Sequence, residues 1–196
     1  DAEMKAIAET AHSLGLKVMA HAHGARGIEA ASRAGIDTIE HGTYLDEAAA
    51  RAMRENGTVL VPTLMAFQGV TERLGKGIYT PVVEDKIRAV AETARVFMGK
   101  ALRWNVPIAF GTDAGVFAHG RNACEFALMR AQGMTARQAL ASATTVAAKV
   151  LEMDDQIGRL APGYSADIIA VDGNPLEDVT VLEKVDFAMV RGRVIE

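Results

Sequence analysis

VMAHAHG, residues 18–24, places two histidines, His21 and His23, on either side of one alanine at the end of an apolar run. An imidazole at the end of such a run is costly unless it finds a partner. The pair can therefore supply two metal ligands, or one ligand and one substrate contact, or two hydrogen-bonded core histidines. The period of two along a β-strand lets both side chains point to the same side if the strand runs that far. The residues before them, LKVMA, are apolar without alternation, as expected of a parallel strand buried on both faces.

Further strands of the same kind follow at regular intervals. IDTIE after Gly35 and TVLVPTL after Gly57 start near residues 36 and 58, so with LKVMA the repeat is about twenty residues, enough for a strand, a helix and two tight loops. The helices between them are ARGIEAASRAG and DEAAARAMRENG, the second with Asp46 as N-cap and Gly57 beyond its end. Ahead of the first strand, an amphipathic helix opens at Asp1 with Met4, Ile7, Ala8, Ala11 and Leu14 at helical spacing. AFQGVTERLGKGIYTP reads as an irregular excursion at the strand end, the place for a lid. A helix is expected from about Glu84 to Arg103, and VPIAFGTD is expected as a fourth strand. Two helices follow, NACEFALMRAQG and TARQALASATTVAAKVL, the latter opened by Thr135. From Gly158 onward short β-type runs between turn residues suggest a small appended β element. The class is α/β.

The ionisable residues fall together in this plan. His21 follows KVMA, His41 follows DTIE, and Asp113 follows IAFGT, so three potential ligands sit at the carboxyl ends of three parallel strands. Active sites of α/β sheets and barrels are built at that edge. Two imidazoles and a carboxylate suit zinc or a similar divalent ion with positions left for water. Taken singly, each has a plainer reading: the histidines as hydrogen-bonded structural groups, and Asp113 as a helix cap or turn residue in TDAG.

Composition narrows the partners. The 196 residues are 49% hydrophobic, enough for one domain with a sizeable core. The net charge of −4 and the scattered basic residues give no footprint for nucleic acid or an anionic membrane. No apolar run approaches the ~20 residues that cross a bilayer. Cys124 is the only cysteine, so an intrachain disulfide is excluded and a reducing, cytoplasmic setting is favoured. Self-association into a homo-oligomer stays open.

Across nearly the whole chain, VMAHAHGARGIEAASRAGIDTIEHG, FGTDAG, HGRN, ATTVAAKVL and GRLAPGYSADIIAVDGNPL occur in an order that resembles the metal-dependent amidohydrolase superfamily. Within it the likeness is to the imidazolonepropionase-like group, which includes Xaa-Pro dipeptidases and N-acyl amino acid hydrolases. The resemblance implies a (β/α)8 TIM-type barrel with a small composite β-sandwich. Residues 1–156 would form the second half of that barrel, strands five to eight, and residues 157–196 the carboxyl-terminal part of the sandwich. The family's first-strand His-x-His pair and its strand-four lysine or glutamate have no counterpart here. The expectation is therefore the carboxyl-terminal half of a longer enzyme, inactive without its amino-terminal half.

On that resemblance His21, His41 and Asp113 are metal ligands, for one or two divalent ions in the intact enzyme, zinc foremost. The ion lowers the pKa of water from ~16 towards 7. Asp113 accepts the proton of the attacking water and returns it to the departing amine, as general base then general acid. His23, which falls outside the family's usual ligand set, Tyr44, His119 and Arg121 are the candidates for substrate contact, Arg121 through a bidentate pair with a substrate carboxylate. The expected partner is a small amide, an Xaa-Pro dipeptide or an N-acyl amino acid. The rivals are a cyclic-amide or imidazolone hydrolase, and a non-catalytic metal-binding half-barrel module.

Overall fold

The computed structural model describes residues 2–195; Asp1, where the first helix was expected to open, lies outside them. After α1 (Ala2–Ser13), the repeat read from the sequence is present as β1 (Met19–Gly24), α2 (Ala25–Arg33), β2 (Thr38–Tyr44), α3 (Glu47–Asn56) and β3 (Val59–Val61). The three strands pair in parallel in the order β1-β2-β3. Met19 stands opposite Thr38, His21 opposite Glu40 and Ala22 opposite His41, with an irregularity between Ala22 and Gly24. Ile39 faces Leu60 and Glu40 faces Val61 in the second ladder.

Local chemistry accounts for the helix ends. Asp46 accepts the Ala49 N–H at 2.9 Å, and Gly57 closes α3 in the left-handed conformation at φ 73°. Thr135 and Gln138 form a capping box at the start of α8 (Ala136–Ala143).

Packing departs from expectation at the sheet. Instead of being buried on both faces, β1 leaves Met19 68% exposed and His21 exposed. Helices cover the sheet from outside: α2 contacts β1 and β2, α6 (Phe97–Arg103) contacts β2, as does α5 (Pro81–Ala94), and α3 packs on α2. There Ile28, Ile39, Met53, Leu60, Phe97 and Met98 are fully buried. The opposite face, with Met19, His21, Glu40, Val61 and Gly111, borders a cavity. Parallel sheets are normally covered on both faces, and a parallel sheet clothed in helices on one side only fits part of a barrel wall.

The expected fourth strand is reduced to a single parallel bridge, Leu60 to Ile108. Pro107 contributes only its carbonyl, accepting the Leu60 N–H at 2.8 Å, and Ala109 N–H returns to Leu60 O at 2.9 Å. The ladder then stops because the next donor on the β3 side would be residue 62, a proline without an N–H; Phe110 N–H, on the other edge of the segment, goes to Ser142 O at 3.1 Å. Gly111 passes so close to Val61 that a Cβ there would collide with the valine side chain.

Between β3 and this segment the expected irregular excursion begins as a helix, α4 (Leu64–Thr71). Its leading N–H groups are met by a carboxylate about sixty residues downstream, which no local pattern announces. The single helix expected over 84–103 is two, α5 (Pro81–Ala94) and α6, separated at Val96, whose φ of −134° is not helical. α7 (Cys124–Ala131) precedes α8, and the run after Thr135 breaks at Thr144 into α8 and α9 (Thr145–Val150). The appended β element is an antiparallel sheet in the order β4 (Ile168–Ala170), β5 (Phe187–Val190), β6 (Arg193–Ile195), with a 3-10 turn at Val179–Glu183. No helix among the described residues is long and apolar enough to cross a membrane.

Asp46→Ala should lower unfolding stability by about 1 kcal/mol, while Asp46→Asn keeps most of it. Urea denaturation midpoints check this, and an unshifted Ala variant would contradict the cap.

Candidate metal centre and active site

Three imidazoles converge at the carboxyl ends of β1 and β2. The ring centroids are 4.5 Å apart for His21 and His41, 4.7 Å for His21 and His23, and 4.9 Å for His23 and His41. One ligand atom from each lies within 4.8 Å of the others. The period of two puts His21 and His23 on the open face together. Glu40 and His41 are consecutive and should diverge, yet both line the same cavity of about 460 Å³ with His21, Thr63 and Asp113.

Backbone conformation explains the exception. His41 has φ 75°, Thr63 φ 49° and Asp113 φ 55°, three of the six non-glycine residues with positive φ among the described residues. Each follows the run of a different strand, and each costs of order 1–3 kcal/mol unless its surroundings hold it. For β-branched Thr63 the conformation is a true outlier. Strain concentrated at one sheet edge marks a place where side-chain direction has been favoured over backbone comfort.

Two threonines orient the rings. His23 Nδ1 lies 2.8 Å from Thr43 Oγ1, and His41 Nδ1 lies 2.6 Å from Thr63 Oγ1. With each Nδ1–H donating to the hydroxyl oxygen, each Nε2 keeps its lone pair for another partner. Burial, reinforced by the neighbouring His21 and His23, lowers the His41 pKa to about 4, against a smaller upward pull from Asp113. Burial, then His21, also lowers that of His23. Both rings are therefore neutral at neutral pH, the form that binds metal. Burial and then Asp113 raise the Glu40 carboxyl, partly offset by the Thr38 hydroxyl, which donates at 2.7 Å. The donor set, neutral imidazoles beside a carboxylate, fits a divalent ion. Tetrahedral nitrogen ligands stand about 3.4 Å apart, so modest side-chain rotation would close the cluster.

The sequence-derived residues divide. His21 and His41 lie together, and His23, assigned to substrate, lies in the same imidazole cluster. Asp113 is exposed and lines the shared cavity outside the group of three. Tyr44 is exposed at the end of β2, and His119 is exposed in the loop before α7. Arg121 is engaged already, its two terminal nitrogens donating to Glu72 at 2.8 Å each. That pair, with Gln68 assisting, holds the Glu72 carboxyl at about 2. Thr43, Thr63 and Glu40 were missed; strand-end threonines carry no signal until the fold sets them against imidazoles.

The model of the amidohydrolase family matches residues 1–195. The chain belongs to the amidohydrolase family. A solved Xaa-Pro dipeptidase with methionine bound in its active site is 43% identical, with a TM-score of 0.95 over 99% of this chain and 48% of that one. Ochratoxinase from Aspergillus niger is 35% identical over 93% of this chain and 38% of its own length. Imidazolonepropionase from Hahella chejuensis is 31% identical over 87% of this chain and 39% of its own. This amidohydrolase chain spans about half the length, or less, of the curated relatives it matches.

The buried imidazole gives the metal-free protein a pH signature. Unfolded His41 takes its proton near 6.5 and the folded residue only near 4, so between those values the unfolded state binds more protons. Stability should be full above pH 6.5 and fall as pH drops to 4. Melting temperatures of chelator-treated protein should show that slope, and His41→Asn should flatten it; equal slopes would contradict a buried neutral ring.

Proposed function

We propose that this amidohydrolase hydrolyses amide C–N bonds with the help of a divalent metal, zinc being the best match to the donors. The observation that carries the reading is the close group of His21, His23 and His41 on the open face of a parallel sheet, with Asp113 on the same cavity. His21 and His41 hold the ion with Asp113. Such an ion, when bound, supplies the positive charge that acidifies water and polarises the scissile carbonyl. Asp113 then takes the proton of the attacking water and delivers it to the departing amine nitrogen. Its exposure leaves both carboxylate oxygens accessible to water and substrate.

Substrates are Xaa-Pro dipeptides or N-acyl amino acids. The dipeptidase structure supports this at 43% identity. So does a prolidase structure complexed with N-methylphosphonate-L-proline, at 35%. His23, Tyr44 and His119 border the substrate, and Arg121 meets a substrate carboxylate by exchanging Glu72 for it. The imidazolonepropionase relative favours, as a second reading, a cyclic amide opened by the same chemistry. Residues 1–156 form strands five to eight of the barrel and residues 157–196 part of the sandwich. The remaining wall comes from a second half such as the longer relatives carry, and turnover requires it.

His41→Ala and His21→Ala should each lose bound zinc and dipeptide hydrolysis in the full-length protein, measured by metal analysis and amine release. Asp113→Asn should slow turnover by about 10²–10⁴-fold. Full activity with unchanged metal content in the histidine variants would sink the assignment. Glu72→Gln should lower KM for carboxylate-bearing substrates, and an unchanged KM would remove Arg121 from the site.

A further inference from the structure

Glu125, on the first turn of α7, is fully buried. Its Oε1 accepts the Leu64 N–H at 2.9 Å and its Oε2 the Met65 N–H at 2.7 Å. These are the leading N–H groups of α4. Burial pushes the carboxyl up to about 7, with the two N–H groups pulling the other way.

A buried carboxylate is an unusual means of capping a helix whose N-cap residue is a threonine. Thr63 occupies that N-cap position, and a threonine hydroxyl there normally accepts an N–H from the first turn. Thr63 makes no such bond. Its Oγ1 lies instead 2.6 Å from His41 Nδ1, and its backbone is held at φ 49°. The start of α7 braces a second strand end as well, since Asn122 Nδ2 donates to Thr112 Oγ1 at 3.0 Å, next to Asp113.

We propose that Glu125 is a positioning residue for the metal site: by capping α4 in place of Thr63, it frees the Thr63 hydroxyl to hold His41 Nδ1. In its absence the uncapped N–H groups of α4 draw Thr63 from its left-handed backbone towards the extended N-cap conformation, in which the hydroxyl turns to them and His41 loses its fixed tautomer. The part that concerns metal rests on the proposed function; the part that concerns the His41 ring does not. Partners that orient a ligand histidine typically contribute 10–100-fold in metal affinity.

The test uses the full-length protein and Glu125→Gln, which keeps the volume but offers one acceptor where two N–H groups need one each. Two readouts apply: zinc affinity by chelator competition, and the His41 tautomer by nitrogen-15 NMR of the imidazole. The expected result is zinc affinity at least about tenfold weaker and a loss of the Nδ1–H tautomer. Unchanged affinity and tautomer with only a lower melting temperature would make Glu125 a fold residue and overturn the proposal. If the wild type binds no zinc, the metal reading fails and the tautomer alone decides: lost in the variant upholds the role of Glu125, retained refutes it. Should Glu125→Gln not fold, Thr63→Val removes the hydroxyl and leaves the Glu125 bonds in place. It must then weaken zinc binding and release the tautomer, and wild-type values for both would overturn the proposal.

Discussion

The site depends on the backbone of one residue. His41 follows Glu40 in β2, and in a regular strand the two would face opposite sides of the sheet. With φ at 75° the chain turns His41 towards the cavity that Glu40 also borders, within 4.5 Å of the His21 ring by centroid. Gly42 continues the left-handed turn at φ 66°, where an added Cβ would meet Leu60 at 2.5 Å. Such strain persists only where the surroundings over-determine it. Here they do: Ile39, two residues earlier, is fully buried, Leu60 is fixed between β2 and the Pro107–Ala109 segment, and Phe97 and Met98 fill the same core.

That arrangement separates what stabilises the molecule from what acts. The helix-covered face of the sheet carries the apolar core, and the open face carries the imidazoles and carboxylates. Burial is used selectively on the open side. His41 is buried enough to stay neutral, His23 is half-buried, and His21 and Asp113 remain exposed. A metal and a water-derived nucleophile need this mixture, because ligands must be unprotonated while the reacting centre must remain reachable.

Much of this was legible in the sequence because its signals are local. The strand-helix repeat shows in apolar runs separated by Gly35 and Gly57, Asp46 announces its cap, and His21 and His41 stand directly after the runs KVMA and DTIE, within strands that extend past them. What was hidden depends on partners distant in sequence. The one-sided sheet could not be seen in LKVMA, since an apolar run is the same whether helices cover one face or two. The fourth strand pairs only at Leu60 because Pro62, next along the β3 side, has no N–H to continue the ladder. Helix α4 looked irregular because its cap arrives from α7, and Arg121 looked free because Glu72 lies 49 positions away. The convergence of His23 with the other two rings was open in the sequence, where the pair allowed either one ligand or two.

One scaffold serves many substrates through its loops, so membership of the family does not by itself name the substrate. The central claim is narrower: that the edge of β1 and β2 is a metal site. A crystal structure of the full-length protein grown with zinc, with anomalous data at the zinc edge, tests it most directly. The account predicts a peak about 2.0–2.1 Å from Nε2 of both His21 and His41, with Asp113 completing the ligands and the Nδ1 of His41 still on Thr63. Data with no peak between those rings, or with zinc bound elsewhere while the rings stay apart, would contradict it.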